Sequence, residues 1–204
     1  LTRAPFLTPY PIGKGVKSGN MTLIDSMLHD GLNDAMYGIH MGVTADNIAK
    51  KYNISREAQD EFALASQQKA LAAIESGRFK EEIVPITYRT RKGEVTFDTD
   101  EHPRQTSMEK LAKLKPAFSK DGTVTAGNAS GINDGASFTI VASEDAVKKY
   151  NLKPIAEVIG FGQGGVDPRV MGLGPTPAIL NTLKYADLSI NDMELVELNE
   201  ALAA

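Results

Sequence analysis

The 204-residue chain contains no cysteine and no tryptophan, and only 6% of its residues are aromatic. Without cysteine these residues can form no disulfide, no thiolate-ligated zinc site or iron–sulfur cluster, and no cysteine nucleophile. An excess of positive charge is missing too, since 22 Lys+Arg against 26 Asp+Glu leave a net charge of −4. Nucleic acids and anionic membranes both attract a positive footprint, so neither is expected as a partner. No apolar run approaches the roughly 18 residues of a membrane span. The three histidines, His29, His40 and His102, fall at spacings that match no metal motif. Leu1-Thr2-Arg3 opens without the basic and apolar stretches of a secretory signal, which with the absence of cysteine leads us to expect a cytoplasmic protein. The pattern at Ala203-Ala204 stops abruptly, and the expectation is a piece of a longer polypeptide.

What is present has the balance of a globular protein, with 42% hydrophobic and 24% charged residues. At about 150 residues per domain, one large or two small domains are expected. Residues 1–20 are rich in Pro and Gly and read as an irregular arm. Four of the seven methionines, Met21, Met27, Met36 and Met41, follow within residues 21–43. They suit either a pliable binding surface or ordinary core filling. Thr44 reads as the N-cap of a short helix with Ile48, Ala49 and Tyr52 on one face. Ser55 and Glu57 start a longer helix over 55–76, which Gly77 stops. Residues 82–89 and 94–99 predict a hairpin around Arg91-Lys92-Gly93, and 98–110 a polar surface loop. Further strands are expected at 137–142, 155–161 and 195–198, with helices capped by Ser143 and begun by Thr176-Pro177. This alternation of strand and helix predicts the α/β class.

Several short motifs carry little. Gly160-Phe-Gly-Gln-Gly-Gly165 satisfies G-x-G-x-x-G after an expected strand, yet Val166-Asp-Pro168 follows where a dinucleotide site needs a helix. A turn between strand and loop is the simpler reading. In Gly127-Asn-Ala-Ser-Gly131 the serine stands one position late for a nucleophile elbow. The Asn-x-Ser/Thr triplets at Asn20, Asn53 and Asn128 are most simply chance. More informative is the stretch from Gly122 to Ser137, dense in Gly, Ala, Ser, Thr and Asn. Small residues let the backbone approach a ligand closely, and neutral polar groups offer hydrogen bonds, so this loop could line a slot for a long thin ligand. A tight helix–sheet junction would use the same composition.

Residues 125–136, Thr-Ala-Gly-Asn-Ala-Ser-Gly-Ile-Asn-Asp-Gly-Ala, resemble the hallmark loop of thiolases. Other segments resemble that family in its order: Gly19-Asn-Met21, Tyr37 to Gly42, the Arg-x-x-Gln-Asp helix from Arg56 to Ser66, Asp100 to Arg104 and Leu114 to Phe118. Met171 to Ala178 and the Asn-Glu-Ala box at 197–203 complete the series. The resemblance implies a layered αβαβα fold. In it residues 1–132 would form a loop domain covering the coenzyme A site. Residues 133–153 would return to the N-terminal half, and 154–204 would begin the C-terminal half.

By the same resemblance the activity would be thiolase acyl transfer, interconverting two acetyl-CoA with acetoacetyl-CoA and CoA. The Met-rich Tyr37–Gly42 stretch favours the short-chain type over degradative 3-ketoacyl-CoA thiolases. No cofactor is implied, coenzyme A thioester being the substrate. The family's nucleophilic cysteine has no counterpart among these residues, so the chain alone is expected to be inactive; the alternatives are a noncatalytic CoA- or lipid-binding relative and a degradative 3-ketoacyl-CoA thiolase. Asn199 would have a catalytic part, holding a water in an oxyanion hole for the thioester enolate. Arg104 would lie near the CoA nucleotide, and Leu114 and Phe118 at the adenine or pantetheine. Ala126, Ala129, Ser130 and Gly131 would line the pantetheine tunnel. Leu32, His40, Met41 and Met171 would wall the acyl end, with a structural part for His40 equally open. Ala201 and Leu202 complete the implied site, with Leu202 replacing the family's usual phenylalanine. The segment from Arg104 to Leu111 is one residue shorter than common family versions, so no role carries over to Lys110. Residues 5–28 resemble the arm through which thiolases tetramerise, which implies a parent homotetramer.

Overall fold

The computed structural model describes residues 1–8 and 18–204. Nine of the residues in the expected tetramerisation arm, 9–17, therefore lie outside the described residues. The chain divides into two compact units. One is Leu1–Ile39 with Ile132–Asn199, and the other is His40–Gly131 with Glu200–Ala204.

The second unit holds the core. Its helix α1 (Met41–Tyr52) buries Ala45, Ile48 and Ala49, so the expected apolar face exists. The helix begins three residues before the expected cap, however. Thr44 is fully inside it, and its hydroxyl donates to the Met41 carbonyl at 2.6 Å. The cap is His40, whose Nδ1 accepts from the Gly42 N–H at 2.9 Å. Histidine is not a favoured N-cap residue, which is why propensity pointed to Thr44. Asn53 ends α1 in the left-handed conformation. Helix α2 (Arg56–Glu75) matches expectation closely, with Ser55 Oγ accepting from Ala58 N–H at 3.1 Å and Gly77 at positive φ just beyond its end. Strands β3 (Ile86–Thr90) and β4 (Gly93–Phe97) form the expected hairpin, joined by Arg91-Lys92. Its facing Thr87 and Thr96 hydroxyls lie 2.9 Å apart. A one-turn helix, α3 (Met108–Ala112), capped by Ser107, interrupts the expected surface loop. It inserts Leu111, 3% exposed, against α2. Val124, Ala63 and Leu111 with the α1 side chains make a small core. Fully buried Val or Leu side chains contribute about 1.5–3 kcal/mol each.

In the first unit, β1 (Phe6–Leu7) pairs antiparallel with β2 (Ile24–Asp25), a short ladder that the arm's composition did not reveal. A wide helical turn follows at Met27–Leu32. Helix α4 (Glu144–Tyr150) is capped by Ser143 as expected, and α5 (Pro175–Ala186) starts with Pro175, one residue early for the expected Thr176-Pro177 start. The strands expected at 137–142, 155–161 and 195–198 are not formed. These segments pair with nothing among the described residues, and Phe138, Ile140 and Ile155 are almost wholly exposed. An apolar run supplies strand propensity, but a strand exists only where a neighbour completes its hydrogen bonds.

The G-x-G-x-x-G segment is explained here. A Cβ on Gly162 would overlap the backbone of Ala178 and Thr182, and one on Gly164 would overlap Pro177. The glycines let this segment lie directly on α5, and Asn181 Nδ2 fastens it by donating to the Gln163 carbonyl at 2.6 Å. No helix opens immediately after the motif, so it has no phosphate seat of the dinucleotide kind.

Candidate functional site

The small-residue loop at 125–131 is held from beneath by buried polar side chains. Asn128, 4% exposed, accepts from the Thr125 N–H at 2.7 Å. Its amide donates to Asp60 Oδ1 at 3.0 Å and to the Thr123 carbonyl at 3.1 Å. Asp60 on α2 is 1% exposed and receives Arg56 Nε at 2.8 Å. The same guanidinium reaches the Leu111 and Leu114 carbonyls at 2.6 and 3.0 Å. Two further buried residues fix the approach to the loop. Asp46 Oδ1 accepts from the N–H groups of Thr123 and Val124, and Gln59 Nε2 donates to Thr123 Oγ1 at 2.8 Å.

The chain's last residues close on this loop. Ser130 N–H donates to the Ala201 carbonyl at 2.9 Å, and Ala203 N–H to the Asn128 carbonyl at 3.0 Å. Ala129 and Leu202 stand opposite each other in an antiparallel bridge. Ser66 Oγ on α2 donates to Glu200 at 2.7 Å. A cavity of about 140 Å³ opens beside this junction, lined by residues that include Ser66, Gln67, His102, Ala129, Ser130 and Glu200. The structure thus brings Ala129, Ser130, Ala201 and Leu202 together. Sequence reasoning missed His102 and Glu200 as lining residues. Both had a signal, since Glu200 stands within the Asn-Glu-Ala box and His102 within the Asp100–Arg104 segment that resembles the family.

A second cluster lies at the start of α1. The His40 ring stacks on Phe118, with centroids 4.5 Å apart and planes inclined by 19°. A side chain at position 42 would overlap the Phe118 ring, so Gly42 makes this stacking possible. Burial lowers the His40 pKa below its ordinary 6.5, which keeps Nδ1 free to accept the capping hydrogen bond. Phe118 is tied to the loop approach because Ala117 N–H donates to the Val124 carbonyl. Leu114 is more than a third exposed, and Ala126, Ser130 and Gly131 are exposed along the loop. Exposed Arg104 is held by its backbone, whose N–H donates to Gln67 Oε1 at 2.8 Å. Met41 is half-buried in the first turn of α1. Leu32, Met171 and Asn199 belong to the other unit, where Leu32 ends the wide turn and Met171 and Asn199 are exposed. Among the described residues no group of three or more His, Asp or Glu side chains could hold a metal ion. No helix there is long and apolar enough to cross a membrane.

Comparison with known proteins gives this geometry a family. The thiolase N-terminal domain matches residues 1–145 and the thiolase C-terminal domain residues 152–204. The chain belongs to the thiolase family. It is 51% identical over its whole length to the acetyl-CoA acetyltransferase of Syntrophomonas wolfei, and covers 52% of that protein. Human mitochondrial 3-ketoacyl-CoA thiolase superimposes with a TM-score of 0.91 at 48% identity, over 99% of this chain and 51% of that one. A structure of the same human enzyme in complex with CoA gives 0.89 at 47% identity, over 99% and 50%. The fold is therefore that of thiolases, of the α/β class the alternating elements predicted. The chain spans about half the length of the curated relatives it matches.

Proposed function

We propose that this thiolase chain is the CoA-holding part of an acetyl-CoA C-acetyltransferase, and that the 204 residues do not turn over substrate alone. The parent reaction would join two acetyl-CoA into acetoacetyl-CoA and CoA, or run in reverse as thiolysis. The observation that carries this reading is the zipper between 128–130 and 201–203. It ties the loop whose sequence resembles the family's pantetheine lining to residues 201–203, the end of the Asn-Glu-Ala box. In that reading Asn199 holds a water whose hydrogens stabilise the negative charge that grows on the thioester oxygen. The small side chains at 126–131 let pantetheine lie against the backbone. His40, neutral near pH 7, and Met41 border the acyl end, to which the likeness to thiolases alone also assigns Leu32 and Met171. Arg104 offers a cation to the nucleotide phosphates.

The covalent step needs a thiolate, and these 204 residues contain none. The purified chain is expected to bind CoA while showing no loss of acetoacetyl-CoA in the presence of CoA. Thiolysis by the chain itself would sink the division of labour proposed here. Binding without turnover, in a native protein with no cysteine anywhere, would instead favour a noncatalytic CoA-binding relative. The short-chain preference rests on the Met-rich stretch around His40 and on identity to acetyl-CoA acetyltransferases. An intact parent enzyme that cleaves long 3-ketoacyl-CoA faster than acetoacetyl-CoA would overturn it. A homotetrameric parent follows from the likeness of residues 5–28 to the family's arm, and sedimentation of the parent tests it.

A further inference from the structure

The loop at 126–131 has almost nothing of its own to hold its shape. Its side chains are small, and Asn128 is the one buried residue within it. Leu111 and Leu114 pack on Gly127 and backbone bonds join the loop to Ala201 and Ala203, while the buried Asn128 side chain ties it to a buried carboxylate on α2. Asp60 receives the Asn128 amide on one oxygen and the Arg56 guanidinium on the other, at 3.0 and 2.8 Å. Arg56 carries the link onward to the carbonyls of Leu111 and Leu114, which begin the segment leading to Phe118. The two stretches that would form opposite walls of a pantetheine slot therefore hang from the same pair of α2 side chains.

We propose that Arg56, Asp60 and Asn128 are positioning residues for CoA: they set the spacing between the 126–131 loop and the 114–118 segment without touching the ligand. This rests on the CoA-binding reading above. Asn128 cannot serve as a ligand contact through its amide, because both its Nδ2 and its Oδ1 are spent on protein partners. Asp60 is likewise engaged at both oxygens and sealed from solvent. The exchange Asn128→Asp keeps the acceptor for Thr125 N–H but sets a carboxylate oxygen against the Asp60 carboxylate and the Thr123 carbonyl. The loop must then shift. Combining it with Asp60→Asn lets the new amide at 60 donate to the carboxylate at 128 while its oxygen still accepts from Arg56.

The test is CoA affinity of the full 204-residue chain by calorimetry, wild type against Asn128→Asp and the Asp60→Asn/Asn128→Asp exchange. Adenosine 3′,5′-bisphosphate, which lacks pantetheine, is the second probe, and melting curves confirm that each protein is folded. Asn128→Asp is expected to weaken CoA binding by at least about tenfold, the loss that facing two buried acceptors implies. The exchange is expected to bind CoA at least about threefold more tightly than Asn128→Asp, since the pair is coupled, while falling short of wild type because the carboxylate at 128 still faces the Thr123 carbonyl. Affinity for the bisphosphate should stay unchanged, because Arg104 is held through Gln67 instead. Equal CoA affinity of Asn128→Asp and wild type would overturn the proposal. A fall in affinity for both probes that follows the melting temperature, without recovery in the exchange, would also overturn it by reducing the network to a structural role. Wild type that binds no CoA would overturn the CoA reading itself and this inference with it.

Discussion

His40 joins two jobs in one ring. Its Nδ1 lone pair caps α1, and its face stacks on Phe118. Both favour the neutral imidazole, because protonation removes the acceptor and sets a positive charge at the positive end of the helix dipole. The sign of the pH effect follows. The native pKa lies below the ordinary 6.5, so the unfolded chain binds more protons in the interval between the two. This contribution to stability is complete above about pH 6.5 and is lost as pH falls from there through the lower native value. Melting temperatures measured from pH 8 down to pH 5 should decline with this residue contributing. His40→Asn, which caps with an oxygen that does not titrate, should flatten the decline. An identical slope in the variant would show that the cap does not sense pH. Elsewhere in this unit two buried oxygens, Asp46 Oδ2 and Gln59 Oε1, accept no hydrogen bond from the described residues. Both need a donor, and a buried water can supply two.

The secondary elements divide by how local their causes are. Helices α2 and α4 were legible because serine caps, acidic first turns and left-handed or glycine ends lie within the segments themselves. The β3–β4 hairpin was legible from its turn. The His40 cap was not, since it depends on burial and on a phenylalanine 78 residues away. In the candidate site the 125–131 loop announced itself by composition. Its attachment to Asp60 did not, although the Arg-x-x-Gln-Asp pattern was visible, because the partner residue is 68 positions distant. The glycines at 160–165 show the reverse case, a spacing that matches a ligand motif, set aside because no helix follows it, and used for packing on α5. Gly162→Ala and Gly164→Ala should therefore each destabilise the first unit by about 1–3 kcal/mol, the range for overpacking. CoA affinity, which is read in the other unit, should be unchanged. Denaturant melts together with CoA titrations check this, and an unaffected melt for Gly162→Ala would mean that the close approach to α5 is not tight in solution.

At the scale of the whole molecule, the segments 137–142, 155–161 and 195–198 pose the main physical problem. Phe138 is 95% exposed, Ile140 90% and Ile155 fully so, in segments whose backbone groups find no partner among the described residues. Apolar strand-forming runs with open hydrogen-bonding edges are the usual templates for association between chains. The relatives are about twice as long, and the polypeptide corresponding to their other half is the natural source of the missing neighbours. At high concentration the 204-residue chain alone is therefore expected to self-associate through these segments, and in dilute solution hydrogen exchange should protect α1 and α2 but leave the three segments open. Supplying the complementary half of a full-length thiolase in the same cell should abolish that self-association and give a discrete complex in which those amides become protected. The second unit, with its own buried core and polar network, should change little on complementation. A soluble monomer that melts sharply and protects residues 137–142 without a partner would show that the chain satisfies these segments by itself. That outcome would place the strands' stability within the 204 residues, and the exposure of Phe138 and Ile140 would then have to be reversed by a rearrangement of the first unit alone.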